Sequence, residues 1–309
     1  MTSPALREDT HITTVQASAR SSKIAQAISP AAFLAVLVWG AIAPFTKYSL
    51  ETIPTLAFMA IRMLVATIAV FALLAARRKP IGIECDDLPK FLLAGTVLFA
   101  LSTLLFTGGL SQTTVANMVI LSSTSPLLGA VYRWFFKRER PDRRSLVAML
   151  IGFAGVVIVV SDGSSTEGTS VIGNLMGLAS AALWVGVTIY PQPLVRKYGA
   201  ARATGWMVAT SLLLIVPLSL GELSTVVHHP APPLAWGGLL YAAMGTFVGN
   251  ALWQDAVQQV GPARTLIYLY LQPFLALLIA AIVLGDRMTP VQVIGGLLAI
   301  GGVMLVKKG

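Results

Sequence analysis

Arg62 sits in "LAFMAIRMLVATIAVFALLA", and Ser122-Ser123-Thr124-Ser125-Pro126 interrupts "VANMVILSSTSPLLGAVYRWFF". A guanidinium offers a rigid fork of donors that fits a carboxylate or phosphate. A cation within an apolar stretch is costly, so it is functional or paired by default. Arg62 is read either as an anion-binding group or as a clamp on helix-end carbonyls. Lys47 has Glu51 four residues on. It either snorkels to the membrane surface or holds a substrate carboxylate. Pro126 removes a backbone donor, and hydroxyls beside it, Ser123 and Thr124 above all, can bond back to carbonyls or face a wet cavity. Asn117, Asn250 and Gln272 add uncharged hydrogen-bonding groups. Trp39, Trp184, Trp253, Tyr190, Tyr268 and Tyr270 supply ring faces for an apolar side chain or a cation, unless they merely pack. A cation for a carboxylate, amides and hydroxyls for an ammonium, and rings for a side chain together suit a zwitterion.

Other chemistries lack their parts. Hydrolysis would need a nucleophile–base pair, a metal set or paired carboxylates. His11, His228 and His229 fall in a tail and a loop, and Cys85 is the only cysteine, so neither a disulfide nor a metal cluster is expected. No Gly-rich phosphate cradle occurs, which argues against an ATP-driven pump. Asp255 is the one carboxylate expected inside a span, near its end and close to Arg264. Carboxylate-based proton coupling needs titratable groups along the path, so exchange or facilitated movement fits at least as well. No cofactor, no metal and no enzyme activity are expected.

The elements that must position these groups are helices crossing a bilayer. The chain has 309 residues, 56% of them hydrophobic and only 11% charged, with mean hydropathy +0.78. Soluble domains carry roughly a quarter charged residues. Ten apolar stretches of membrane-spanning length are expected at about 31–50, 54–76, 89–110, 113–136, 144–161, 172–194, 203–221, 235–258, 262–284 and 290–306. With the N-terminus inside, eighteen of the 22 Lys and Arg residues sort to the cytoplasmic side. The net charge of +9 therefore reports orientation by the positive-inside rule, not a nucleic-acid partner. Residues 1–29 lack the apolar core of a signal peptide and read as a cytoplasmic tail.

The chain also repeats itself. A shift of 147 residues lays 109–160 on 256–307 without a gap, matching Pro126 with Pro273, Arg140 with Arg287 and Gly155 with Gly302. The small-residue ladder Ala148, Gly152, Gly155 meets Gly295, Ala299, Gly302. Such faces let helices approach closely, within one chain or between two. Five spans per half would turn the second half over, the inverted arrangement typical of secondary transporters. Interrupted helices at matching places point to a binding site, so Pro44, Pro126, Pro191 and Pro273 are expected as helix breaks or gating points.

The segments "LVWGAIAPFTKYSLETIPTLAFMAIRMLVA", "GLSQTTVANMVILSSTSPLLGAVYRWFFKRERPDRRSLVAMLIGFAGVVIVV" and "VGPARTLIYLYLQPFLALLIAAIVLGDRMTPVQVIGGLLAIGGVMLV" resemble the EamA family of the drug/metabolite transporter superfamily. The resemblance implies an all-α integral membrane protein, with ten transmembrane helices as two inverted five-helix repeats around a central cavity. It implies alternating access and, most often, export of amino acids or other small metabolites. It supports a substrate-binding role for Arg62 and Lys47. Gln272 stands where the family commonly has Glu before the second proline, and the run Tyr190-Pro191-Gln192-Pro193 is unusual for it. The expected organisation is a tail (1–29), a first repeat (30–161) and a second (172–306), with both termini cytoplasmic in a plasma membrane, bacterial inner membrane by type. The partners expected are a small-molecule substrate and the lipid bilayer, with a monomer slightly favoured. Broad-range efflux of amphiphilic compounds is the alternative function.

Overall fold

A computed structural model describes residues 29–40, 42–113, 115–161, 170–228, 231–275, 278 and 289–305. The tail 1–28, His229 and the loop carrying Asp286 and Arg287 lie outside the described residues. What is described is helical: α1 (Pro30–Gly40), α2 (Ile42–Ser49), α3 (Thr55–Ala76), α4 (Leu88–Phe91), α5 (Ala100–Gln112), α6 (Val115–Ser122), α7 (Ser125–Lys137), α8 (Arg143–Ser161), α9 (Val171–Ile189), α10 (Gln192–Tyr198), α11 (Ala200–His228), α12 (Pro233–Val260), α13 (Pro262–Ile267) and α14 (Pro290–Leu305). No strand occurs among the described residues. Five stretches there are long and apolar enough to cross a bilayer: Pro30–Ser49, Thr55–Ala76, Cys85–Gln112, Val171–Ile189 and Ala200–Val226. Large apolar side chains such as Leu64, Ile68, Phe136 and Leu220 face outward, as they do where lipid is the solvent. The chain is an all-α membrane protein.

The expected breaks at Pro126, Pro191 and Pro273 have local causes. Between α6 and α7 the chain leaves the helix for Ser123 and Thr124. The hydroxyls of Ser123, Thr124 and Ser125 donate to the carbonyls of Val119, Leu121 and Ser122 at 2.8, 2.6 and 2.8 Å. Pro126 then falls in the first turn of α7, where its missing N–H is not needed. Tyr190 and Pro191 form the turn between α9 and α10. Ahead of Pro273, Tyr268–Tyr270 tightens to a 3₁₀ turn. Pro44 falls in α2, and its side chain lies outside the described residues.

Four pairings hold the helices together: α3 on α11, α5 on α9, α1 and α2 on α12, and α8 on α14. The small-residue ladders meet each other in α8 and α14. A Cβ on Gly302 would lie 2.7 Å from the Gly152 Cα, and one on Gly155 would lie 2.6 Å from the Gly295 carbonyl oxygen. The close approach those stripes permit is thus made within one chain. Helix α3 takes its cap from across the bundle, since Glu222 Oε2 accepts from the N–H groups of Leu56 and Ala57 at 2.6 and 3.2 Å. At the other end Asp87 accepts from Lys90, Lys197 and Tyr198. Bonds to Asp87 and Glu84 raise Lys197 above the ordinary lysine range.

The segment leading into α5 widens to a π-helix over Leu92–Phe99, a form that recurs at functional positions. Gly95 is there because α11 presses on it: a Cβ would stand 1.9 Å from Thr210 Oγ1 and 2.3 Å from the Met207 carbonyl oxygen. From the last residue of the π segment onward, Phe99, Ser102, Thr103 and Phe106 follow at i, i+3, i+4 and i+7 on one face. That face turns toward the middle of the bundle.

Candidate functional site

A cavity of about 120 Å³ opens there, lined by Trp39, Ile42, Arg62, Phe99, Ser102, Thr103, Phe106, Ser122, Ser125, Ser180, Ala181, Trp184, Thr246, Asn250, Leu269 and Gln272. It has room for several waters or a small solute. Two indoles, Trp39 and Trp184, close one side, and Trp253 packs behind them. Trp39 meets Trp184 edge to face at 5.4 Å between centroids, and Trp253 lies 5.2 Å from Trp39. Trp39 Nε1 donates to the Gly245 carbonyl at 3.1 Å. Its ring lies so close to α12 that a Cβ on Gly249 would stand 2.1 Å from Nε1. Trp253 Nε1 donates to Thr188 Oγ1 at 3.1 Å. Behind the indoles, Gln192 Nε2 bonds to the Thr188 carbonyl and to Gln254 Oε1, and Gln254 Nε2 bonds to the Val187 carbonyl. These amides satisfy carbonyls near the break at Pro191.

The polar wall is built on α12. Arg62 reaches across from α3 and its Nε donates to Thr246 Oγ1 at 2.8 Å. Asn250, one turn on, donates from Nδ2 to the Thr246 carbonyl at 2.7 Å. Arg62 Nη1, Trp184 Nε1 and Asn250 Oδ1 are all buried and find no partner among the described residues. Two donors, one of them charged, and one acceptor thus lack partners on residues that line one cavity. Leaving such groups unpaired is unfavourable by about 1–3 kcal/mol each. Opposite, Ser102 and Ser180 clasp each other, each hydroxyl donating to the other's carbonyl at 3.2 and 2.8 Å. No carboxylate or imidazole lines the cavity among the described residues.

Of the residues expected to bind substrate, Trp39, Arg62, Trp184, Asn250 and Gln272 come together here, with the Trp253 ring tilted against Trp39 behind them. Gln272 Nε2 donates weakly to the Trp39 carbonyl at 3.4 Å. Lys47 lies elsewhere: Nζ donates to the carbonyls of Leu110 and Thr113 at 2.8 and 3.1 Å, off the end of α5. The carbonyl clamp considered for Arg62 is made by Lys47 instead. Asn117 Nδ2 contacts Thr113 Oγ1 at 3.4 Å in the same region. Ser123 and Thr124 turn back onto their own helix, and their neighbours Ser122 and Ser125 reach the cavity. Tyr190 is exposed, and Tyr268 Oη accepts from the Ser29 N–H at 2.8 Å near the start of α1.

The EamA-like transporter family model matches the chain twice, over residues 28–161 and 171–307. The chain belongs to the EamA-like transporter family. Its curated relatives include an "Uncharacterized transporter" of Archaeoglobus fulgidus, 27% identical over 88% of this chain and 94% of the relative. A "Probable terminal-alkyne amino-acid exporter" of Streptantibioticus cattleyicolor is 24% identical over 89% and 91%. A solved crystal structure superposes with a TM-score of 0.70 at 18% identity, covering 90% of this chain and 95% of the other, which establishes a common fold.

Sequence reasoning missed several walls of this EamA cavity: Phe99, Ser102, Thr103, Phe106, Ser180 and Thr246. The first four carried a usable signal, since Ser102 and Thr103 form a polar stripe at helical spacing within an apolar stretch. Thr246 carried a subtler one, standing one turn before Asn250 on a single helix face.

Proposed function

We propose that this EamA transporter moves small metabolites, with amino acids foremost, across the plasma membrane by alternating access and in the direction of export. The observation that carries the reading is the set of unpartnered atoms around one cavity. Arg62 Nη1 suits a carboxylate, Asn250 Oδ1 suits an ammonium, and the indoles of Trp39 and Trp184 suit an apolar side chain. The amino-acid exporter among the relatives supports the same class of substrate.

The proposed framework is ten helices in two inverted repeats, with both termini cytoplasmic. Two observations support it. The family model matches each half separately. The helix pairings also survive an exchange of halves: α3 with α11 and α8 with α14 join equivalent helices, and α1–α2 on α12 becomes α9 on α5. Trp39 and Trp184, one from each half, then meet beside the pseudo-symmetry axis. A cavity wall without carboxylates among the described residues favours exchange or facilitated movement over proton coupling.

Counterflow tests the reading. Proteoliposomes are preloaded with unlabelled amino acids one at a time, and entry of labelled amino acid is followed without a proton gradient. Acceleration by a subset supports an amino-acid carrier. Absence of acceleration by every member refutes it, and the apolar lining of Phe99, Phe106 and Leu269 then turns the search to amphiphilic compounds.

A further inference from the structure

Where α7 ends, the chain changes character within one residue. Trp134, Phe135 and Phe136 are 50%, 69% and 75% exposed. Lys137, Arg138, Arg140, Arg143 and Arg144 come next, and all of them are exposed. Three consecutive aromatic side chains so open are unfavourable in water, and the membrane interface is where such rings settle. The depth agrees. Ser125, the first residue of α7, lines the cavity, and Lys137 lies about 18 Å further along the helix at the usual rise. With the cavity at mid-depth, where secondary transporters place their sites, about 15 Å of hydrocarbon separates it from the headgroups. Phe136 therefore ends among acyl chains, and Lys137 begins the phosphate layer.

The cations of this turn are also left over. Elsewhere basic side chains are taken up by the protein: Lys197 by Glu84 and Asp87, Arg196 by Gln258, and Arg202 by the Gly82 carbonyl. The α7–α8 turn has two carboxylates, and both are engaged by its own helices. Glu139 Oε2 lies 4.0 Å from Arg133 Nη1 of α7, and Asp142 Oδ1 accepts from the Ser145 N–H at 3.2 Å in the first turn of α8. Lys137, Arg138, Arg140 and Arg143 form no ion pair among the described residues. A tight turn keeps them close, with Arg138 left-handed at φ +54° and the Glu139 N–H donating to the Arg133 carbonyl at 3.2 Å.

We propose that the α7–α8 turn is a docking site for an anionic phospholipid, whose phosphate meets the unpaired cations while its chains lie on Trp134, Phe135 and Phe136. Clusters of four or more cations at the end of a span attract acidic headgroups, and a guanidinium fork matches phosphate oxygens. The positive-inside rule accounts for the sign of charge at this end, but it does not require four cations without a protein partner beside open rings. A zwitterionic headgroup carries its own ammonium and fits this cluster less well. The site is independent of what the central cavity carries.

The test uses the full chain in phosphatidylcholine vesicles doped with brominated phosphatidylglycerol or, at equal mole fraction, brominated phosphatidylcholine. Bromine in the chains quenches a tryptophan that they touch. The Trp134 signal is the difference between the natural protein and Trp134→Phe. At about 0.1 M salt the anionic lipid should quench Trp134 at a mole fraction at least about fivefold lower, the effect of one cation close to the surface. At about 1 M salt, where screening shortens to roughly 3 Å, the preference should collapse. Changing Arg138, Arg140 and Arg143 together to Gln should remove the preference, and changing Arg77, Arg78 and Lys79 to Gln should keep it. Equal quenching by the two lipids, or a preference untouched by the first triple change, overturns the proposal. So does a preference lost equally with the second, which would show a general surface charge. If the first triple variant does not insert and fold, the salt series on the natural protein decides, and a preference unchanged at high salt overturns the proposal. Displacement of the lipid by inorganic phosphate at matched ionic strength would indicate a free-anion site and overturn the lipid assignment.

Discussion

Gly249→Ala adds one methyl group to α12 and should cost this transporter its cavity. The new Cβ would stand 2.1 Å from Trp39 Nε1 and 2.8 Å from both Cδ1 and Cε2. Carbon contacts settle near 3.5–4.0 Å, so the ring must move by more than about 1 Å. It is not free to do so. Its Nε1 is bonded to the Gly245 carbonyl at 3.1 Å, and the ring is wedged between Trp184 and Trp253. Losing that hydrogen bond removes about 1 kcal/mol net, and overpacking adds about 1–3 kcal/mol. A total near 2–4 kcal/mol should lower the melting temperature by about 5 °C or more, followed by tryptophan emission in detergent. Counterflow should fall at least about tenfold as the ring is pushed into the lined space. Trp39→Ala removes the clashing ring, so the double variant should be more stable than the sum of the two single changes by more than about 1 kcal/mol. A Gly249→Ala protein that melts within a degree of the parent, or a double-mutant cycle with no coupling, refutes this account of the indole's seat.

Arg62→Lys keeps a cation but gives up the fork and the Nε bond to Thr246; exchange should drop at least about tenfold, and parental exchange rates would remove Arg62 from the site. Glu222→Ala should lower stability by about 1 kcal/mol, because two N–H groups of α3 lose their cap. Exchange per folded molecule should be unchanged, and an unaltered melting curve would contradict the cap. Gly302→Ala drives a Cβ to 2.7 Å from the Gly152 backbone, which cannot yield as a side chain can; a loss of about 1–3 kcal/mol in thermal unfolding is expected. Exchange without a gradient should stay flat between about pH 6 and 8, since no imidazole or carboxylate lines the cavity among the described residues. The Lys197 clasp should be equally insensitive there. Its raised value means that its contribution is whole below about pH 10.5 and is lost only as pH climbs through the higher folded value. A sigmoidal fall across neutral pH would expose a titrating group the cavity wall does not show.

What was legible in the residues follows from how each signal is encoded. The interruption at Ser122–Pro126 could be read because proline removes a donor whatever surrounds it. Which hydroxyls it turns inward could not, because the two-residue break at Ser123 and Thr124 resets the helical phase. Ser122 and Ser125 reach the cavity where Ser123 and Thr124 had been expected. Trp39 and Trp184 were legible as aromatic residues within apolar spans, and the helix packing brings their rings to 5.4 Å. The two small-residue ladders were equally visible. That they face each other in one chain is a property of how α8 meets α14, which a stripe alone does not specify.

The exchange of roles between Lys47 and Arg62 carries a more general argument. Both are cations near one end of an apolar helix, and sequence offers Arg62 a carbonyl clamp or an anion site and Lys47 a snorkel to the membrane surface or an anion site. What separates them is the neighbour. Lys47 meets the carbonyls of Leu110 and Thr113 where α5 stops, and those carbonyls need donors. Arg62 meets an unbroken face of α12, whose carbonyls are already bonded within the helix. The neighbour it finds is a hydroxyl, on Thr246, that has spent its proton on Ala242. One N–H is taken up, and Nη1 finds no partner among the described residues. A lone threonine in an apolar helix most often only bonds back one turn. Here the same back-bond leaves its oxygen as an acceptor for the Nε of a buried cation.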